Sequence, residues 1–156
     1  MSRLINFYSG SGRNSDSRTI FQIWEMSDSE LMHSCDCIQW LFPLTKESSF
    51  NPDAPALSER DILLFNKNPK LKENLSTSFY RFLKVFGLNM DKGEIEGNVD
   101  TYIFQTPNHN WLRFSRIIES LNLLGLPDEA RKFYDFIVQN VKNPGESLGY
   151  WHLALQ

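Results

Sequence analysis

Residues 38–43, Ile-Gln-Trp-Leu-Phe-Pro, constrain the fold more than any other stretch of this chain. Ile38, Trp40, Leu41 and Phe42 spread apolar bulk over more than one side of a helix, and such a helix is buried on more than one side. Pro43 disfavours helical backbone at Phe42, so the helix stops there. This helix end is expected at the centre of the core. The polar loop that follows, Leu44 to Leu57, reads as ordered because Phe50 gives it an anchor to bury.

The rest of the chain supplies helices to surround that centre. A length of 156 residues suits one domain, which at this size buries about 68–70% of its unfolded surface without disulfide or metal. Aromatics make up 13% of the residues, with Phe 12 and Trp 4, so the core is expected to be aromatic-rich. Leu4 to Tyr8 reads as a short apolar entry ending in a polar Ser9–Gly12 turn. A first helix is expected from Asp16 or Ser17, with Ile20, Ile23 and Trp24 on one face. Ser27 and Glu30 form a capping box for a second helix, whose stripe is Leu31, Cys35, Ile38 and Phe42. Ser58 opens a third with Ile62 and Phe65 inward. Asn68-Pro69 opens a fourth, in which Leu71, Leu75, Phe79, Phe82 and Phe86 recur at helical spacing before Gly87.

Leu88 to Pro107 contains a turn at Asp91-Lys92-Gly93, acidic residues at Glu94, Glu96 and Asp100, and a Tyr102-Ile103-Phe104 run that reads as a short strand or a clamp. A connection this long is the place to look for a mobile lid. A fifth helix follows Pro107 and Asn108, with Leu112, Ser115, Ile118 and Leu121 or Asn122 on one face and Gly125 as its stop. Pro127-Asp128-Glu129 opens a sixth, with Phe133, Ile137 and Val141 inward. Leu148, Trp151 and Leu155 suggest a last short helix. The expected fold is all-α, a single domain over 1–156 with about six or seven helices.

Charge and chemistry exclude more than they assign. A net charge of −3 gives no basic footprint for nucleic acid. The start lacks an apolar secretory run, and no segment approaches the ~20 apolar residues of a membrane span, so a soluble, intracellular (cytoplasmic) protein is expected. Two cysteines, Cys35 and Cys37, suit a reducing compartment. His33, Cys35, Asp36 and Cys37 resemble metal ligands, but a zinc site needs about four converging ligands and no second pair stands at the right spacing. Cys35 or Cys37 with His109 or His152 lacks any motif of a cysteine nucleophile. The Ser9–Gly12 turn lacks the Gly-Lys-Ser/Thr of a phosphate loop. Glu94, Glu96 and Asp100 read as a solvated turn rather than a carboxylate pair for glycoside hydrolysis. No catalytic residue, metal or cofactor is assigned.

The segment from Asn108 to Arg116 is the first candidate for a functional surface. Arg113 and Arg116 lie three apart on one helix face, near polar groups that could meet a phosphate, a carboxylate or an acidic segment. The competing structural role is pairing with acids such as Glu119, or lying over the core edge.

Several blocks occur in a telling order: Asn6-Phe7-Tyr8, Trp24, Ile38 to Leu44, Phe50-Asn51, Ala54 to Leu57, Phe86-Gly87-Leu88, His109-Asn110, Leu112-Arg113 and Arg116-Ile117. In these the chain resembles the N-terminal domain of the opioid growth factor receptor family. It departs from that pattern at Cys35-Asp36-Cys37, where the family usually has His-Asp-Tyr, and at Met32, where a glutamate is usual. The resemblance covers the domain alone and does not extend to the repeat-bearing tail of the vertebrate members. The resemblance implies a receptor-like protein rather than an enzyme; animal members are described as receptors for an opioid peptide growth factor, associated with the nuclear envelope.

The combined expectation is a non-enzymatic binding module for a short peptide or protein segment. Its groove would be floored by Trp40 and Phe42 and edged by the Phe50 loop, His109, Asn110, Arg113 and Arg116. The alternative is a small-molecule hydrolase or transferase using His109, Arg113 and Arg116. Nucleic-acid binding through the two arginines is the weakest reading.

Overall fold

The computed structural model describes residues 2–46 and 53–156. Its first element corrects the sequence reading, because the apolar entry is a helix, α1 (Arg3–Tyr8). Ser2 caps it by accepting from the Ile5 N–H, and Leu4, Ile5, Phe7 and Tyr8 are all buried. Six residues are too few for a helical period to be legible. The next helix, α2 (Ile20–Trp24), begins later than expected. Ser17 holds a left-handed φ of 60°, and Thr19 with Gln22 forms the capping box instead.

The helix expected from Ser27 through Phe42 is two helices, α3 (Asp28–His33) and α4 (Cys35–Leu41). Ser34 breaks it, with extended backbone and a hydroxyl that accepts from the Cys37 N–H as the cap of α4. A serine able to bond nearby backbone offers the chain this alternative to continuing. Beyond Pro43, the two ends of the polar loop are pinned together by a Leu44–Ala56 bridge, with Leu57 N–H donating to Leu44 O at 2.8 Å. Phe50 lies outside the described residues.

The Ser58–Asp61 capping box opens α5 (Glu59–Lys67). Asn68 and Pro69 open α6 (Pro69–Val85), which ends before Gly87 at φ 81°. The fold then departs from all-α. Strands β1 (Leu88–Asp91) and β2 (Glu94–Gly97) form an antiparallel hairpin, Leu88 facing Gly97 and Asp91 facing Glu94. Lys92 and Gly93 both take positive φ at its tip, as a two-residue hairpin loop requires. The fold is mostly helical with one small sheet. Its hairpin packs β1 on α6 and β2 on α9 (Pro127–Asn140). The Tyr102 run is a single helical turn, α7 (Tyr102–Gln105).

Helices α8 (Asn110–Leu123), α9 and α10 (Ser147–Leu155) pack on one another. The buried side of α8 is Trp111, Phe114, Ile117, Ile118 and Leu121. Of the expected face, Ile118 and Leu121 are buried as read, whereas Ser115 is only partly buried and Leu112 is 70% exposed.

The core is a chain of ring contacts. Phe7 meets Trp40 at 5.1 Å, Phe42 meets Phe82 at 5.5 Å, Phe86 meets Phe114 at 5.0 Å, and Phe114 meets Trp151 at 6.0 Å. Most are edge-to-face, each contributing about 0.5–1.5 kcal/mol beyond area burial. The first two join α1 to α6 through the Ile38–Pro43 segment, and the last two carry the contacts on to α8 and α10.

Candidate functional site

A helix end in the core leaves carbonyls that water cannot reach, so side chains must meet them. Around α3 and α4 the donors come from distant elements. Arg113 donates from Nη1 to Met32 O at 2.6 Å and Leu31 O at 3.5 Å, and from Nη2 to Ser34 O at 3.3 Å. Arg116 Nη2 reaches Gln39 O at 3.3 Å, and Ser120 Oγ reaches Pro43 O at 2.9 Å. Residues 113, 116 and 120 share one side of α8. That side straps α8 along α3 and α4. From the opposite flank Tyr8 donates its one hydroxyl hydrogen to Leu41 O at 2.5 Å, and its oxygen lies 2.9 Å from Ser78 Oγ.

The two arginines thus have structural partners. Arg113 is buried, and burial pushes Arg116 down to about 10, against the pull of Glu119. The structural role expected for them was pairing with acids such as Glu119 or lying over the core edge; the hydrogen bonds they make reach backbone carbonyls instead. Trp40 and Phe42 are wholly buried, so neither side chain presents surface to a ligand. Trp40 donates to Ser15 Oγ at 3.2 Å and lies 5.0 Å beneath the exposed Arg3 guanidinium. Cys37 is buried with its thiol 3.7 Å from Met26 Sδ, and burial pushes its pKa up. A buried, protonated thiol is a packing group. Among the described residues no cluster of three or more metal-ligating side chains occurs.

The polar surplus lies at the start of α8. Asn110 is wholly buried, and neither Oδ1 nor Nδ2 of its carboxamide has a hydrogen-bond partner among the described residues. Buried side-chain amides are normally paired. Nothing in the sequence separates Asn110 from Asn108, whose own carboxamide is fully used: Nδ2 donates to the carbonyls of Tyr102, Ile103 and Thr106, and Oδ1 accepts from Asn110 N–H.

One neighbour of Asn110, Trp111, is tied to α7. His109 precedes it as an exposed cap residue with no side-chain capping bond, and Trp111 Nε1 donates to Ile103 O at 2.8 Å. Thr101, at the head of α7, also makes no capping bond and keeps a buried hydroxyl without a partner among the described residues. Tyr102, half exposed, sends its hydroxyl toward Met32 Sδ at 3.9 Å. Since Arg113 holds Met32 O, the end of α3, the single turn of α7 and the first turns of α8 meet at one junction.

These features define a mostly helical domain with a small hairpin and an orphaned amide at a three-helix junction. The chain belongs to the opioid growth factor receptor family: the model of the opioid growth factor receptor conserved region matches residues 5–144. It is 32% identical over 114 residues to the human opioid growth factor receptor, covering 69% of this chain and 17% of that protein. It is likewise 32% identical over 124 residues to rat opioid growth factor receptor-like protein 1, covering 74% of this chain and 26% of that one. The chain thus spans about a sixth to a quarter of the length of these relatives. No solved structure matches it. Among the described residues no helix is long and apolar enough to cross a membrane.

Proposed function

We propose that this domain is a non-enzymatic, receptor-like module that binds a short peptide or protein segment at the junction of α3, α7 and α8. The observation that carries the reading is Asn110. A carboxamide offers one N–H donor side and one C=O acceptor, the complement of a single peptide unit. An amide kept unpaired in the apoprotein costs stability, and such a cost is expected where a binding partner supplies the missing bonds. Tyr102 and Met32 add an exposed aromatic and an adaptable thioether for an apolar side chain of the ligand.

Access requires α7 to shift, and a one-turn helix without a cap is a low-stability element suited to that. His109 edges the site. Arg113 and Arg116 fix its wall by holding α3 and α4 against α8, with Trp40 and Phe42 in the layer beneath. The names of the human and rat relatives support a receptor role.

Calorimetry of the protein and of Asn110→Leu against a library of short peptides tests the reading. Binding by the parent, weakened at least about tenfold in the variant, is expected for the loss of two hydrogen bonds. No binding by the parent, or equal binding by both, would overturn it.

A further inference from the structure

Helix α10 carries no Asp, Glu, Lys or Arg from Ser147 to Leu155, and it begins beyond residue 144, where the family match ends. Trp151 and Ala154 are buried, Trp151 donating to Trp111 O at 2.8 Å. The remaining positions are nevertheless apolar or neutral: Leu148 is 39% exposed, Tyr150 54% and Leu153 66%. An ordinary surface helix puts charges opposite its buried stripe. At 100° per residue, Leu148, His152, Gly149, Leu153 and Tyr150 form one outward arc. Leu112 extends it on α8, one turn before Ser115, whose hydroxyl donates to Tyr150 O.

Gly149 stands in the middle of that arc. Glycine inside a helix is destabilising relative to alanine, and nothing within this molecule explains it, since a Cβ there would meet no atom within 4 Å. A position without a side chain on an outward apolar face lets a second helix approach closely. We infer that this face is a self-association surface, on which α10 of a second copy crosses α10 antiparallel at Gly149.

Two arguments select a second copy as the occupant. The first is area. Leu112, Leu148, Tyr150 and Leu153 gather four exposed large apolar side chains on this face, a patch on the order of the few hundred Å² that marks an interaction site and suits the apolar part of a small interface. The second is charge. Copies of a chain with net charge −3 repel one another least through a face that is itself uncharged, and an isologous two-fold contact sets each such face against itself.

Sedimentation velocity from about 1 to about 100 μM, the range for an interface near the lower size limit, reads the association directly. A concentration-dependent dimer is expected for the parent. Leu153→Glu should weaken it at least about tenfold, with the far-ultraviolet spectrum and melting temperature unchanged because the side chain is exposed. Gly149→Ala is the second variant; it should hold or raise the melting temperature by strengthening the helix while also weakening the dimer. A parent that stays monomeric throughout overturns the inference and leaves the face to a different protein. So does a dimer that neither variant weakens.

Discussion

Asn110→Leu is the sharpest perturbation because the proposed site and a purely structural role give opposite signs. Asn110 is wholly buried and both polar atoms of its side chain lack partners among the described residues. An unmet buried donor or acceptor costs about 1–3 kcal/mol, so this one side chain costs the native state on the order of 2–5 kcal/mol. Leucine has the same branching with two methyl groups in place of oxygen and nitrogen. Its larger volume returns about 1–2 kcal/mol of packing strain. The net expectation is a stabilisation between about 0 and 4 kcal/mol, centred near 2, and at that centre a melting temperature raised by roughly 4–8 °C for a chain of this size. Thermal melts and urea titrations by circular dichroism measure both. A variant less stable than the parent by more than about 1 kcal/mol would refute the reasoning, because the carboxamide would then be making native bonds.

Two further expectations follow from the carbonyls that distant donors meet. Arg113→Ala should destabilise by about 2–4 kcal/mol, since it strips the charge-assisted donors from the end of α3; Arg113→Lys should recover only part of this, because one ammonium cannot reproduce the two-pronged fork, and urea midpoints read the difference. Tyr8→Phe should cost about 1–2 kcal/mol by leaving the buried Leu41 carbonyl unmet. Tyr8 also gives a pH signature. Burial pushes its phenol well above the ordinary range near 10, so the native state keeps a proton that the unfolded chain releases. Its contribution is complete below about pH 10 and falls by up to about 1.4 kcal/mol per pH unit above it. The gap in stability between the parent and Tyr8→Phe should therefore narrow as pH rises from 9 to 11, in urea midpoints taken through about pH 11.

What the sequence made legible was mostly local. The Ser27–Glu30 and Ser58–Asp61 boxes, the Asn68-Pro69 and Pro127 starts and the stop at Gly87 each depend on residues within one turn, and all appear in the structure. Misreadings arose where two local choices competed or where tertiary packing decided. Ser34 sits inside an unbroken apolar stripe, yet its hydroxyl caps α4 rather than riding on a longer helix. Lys92 takes a left-handed φ that residue type does not advertise, so the hairpin read as an acidic loop. The phase of α8 was set by its packing on α9 and α10, which exposes Leu112 and buries Phe114.

The roles of Arg113, Arg116 and Ser120 were illegible for a stronger reason. The carbonyls they meet lie 77 to 82 residues away in the chain, and no short spacing encodes such a pairing. Ile38 to Pro43 did mark the centre of the core, but as a segment whose carbonyls are held from both flanks rather than as the floor of a groove.

The central claim is that a peptide engages the junction of α3, α7 and α8. The most direct measurement is amide chemical-shift mapping by NMR while the tightest peptide from the calorimetric library is added. The expected result is that perturbed amides concentrate in residues 31–34 and 101–113, with α7 affected most and Asn110→Leu abolishing the changes. Saturable shifts confined to α5, α6 or α9, or shifts that persist unchanged in Asn110→Leu, would contradict it.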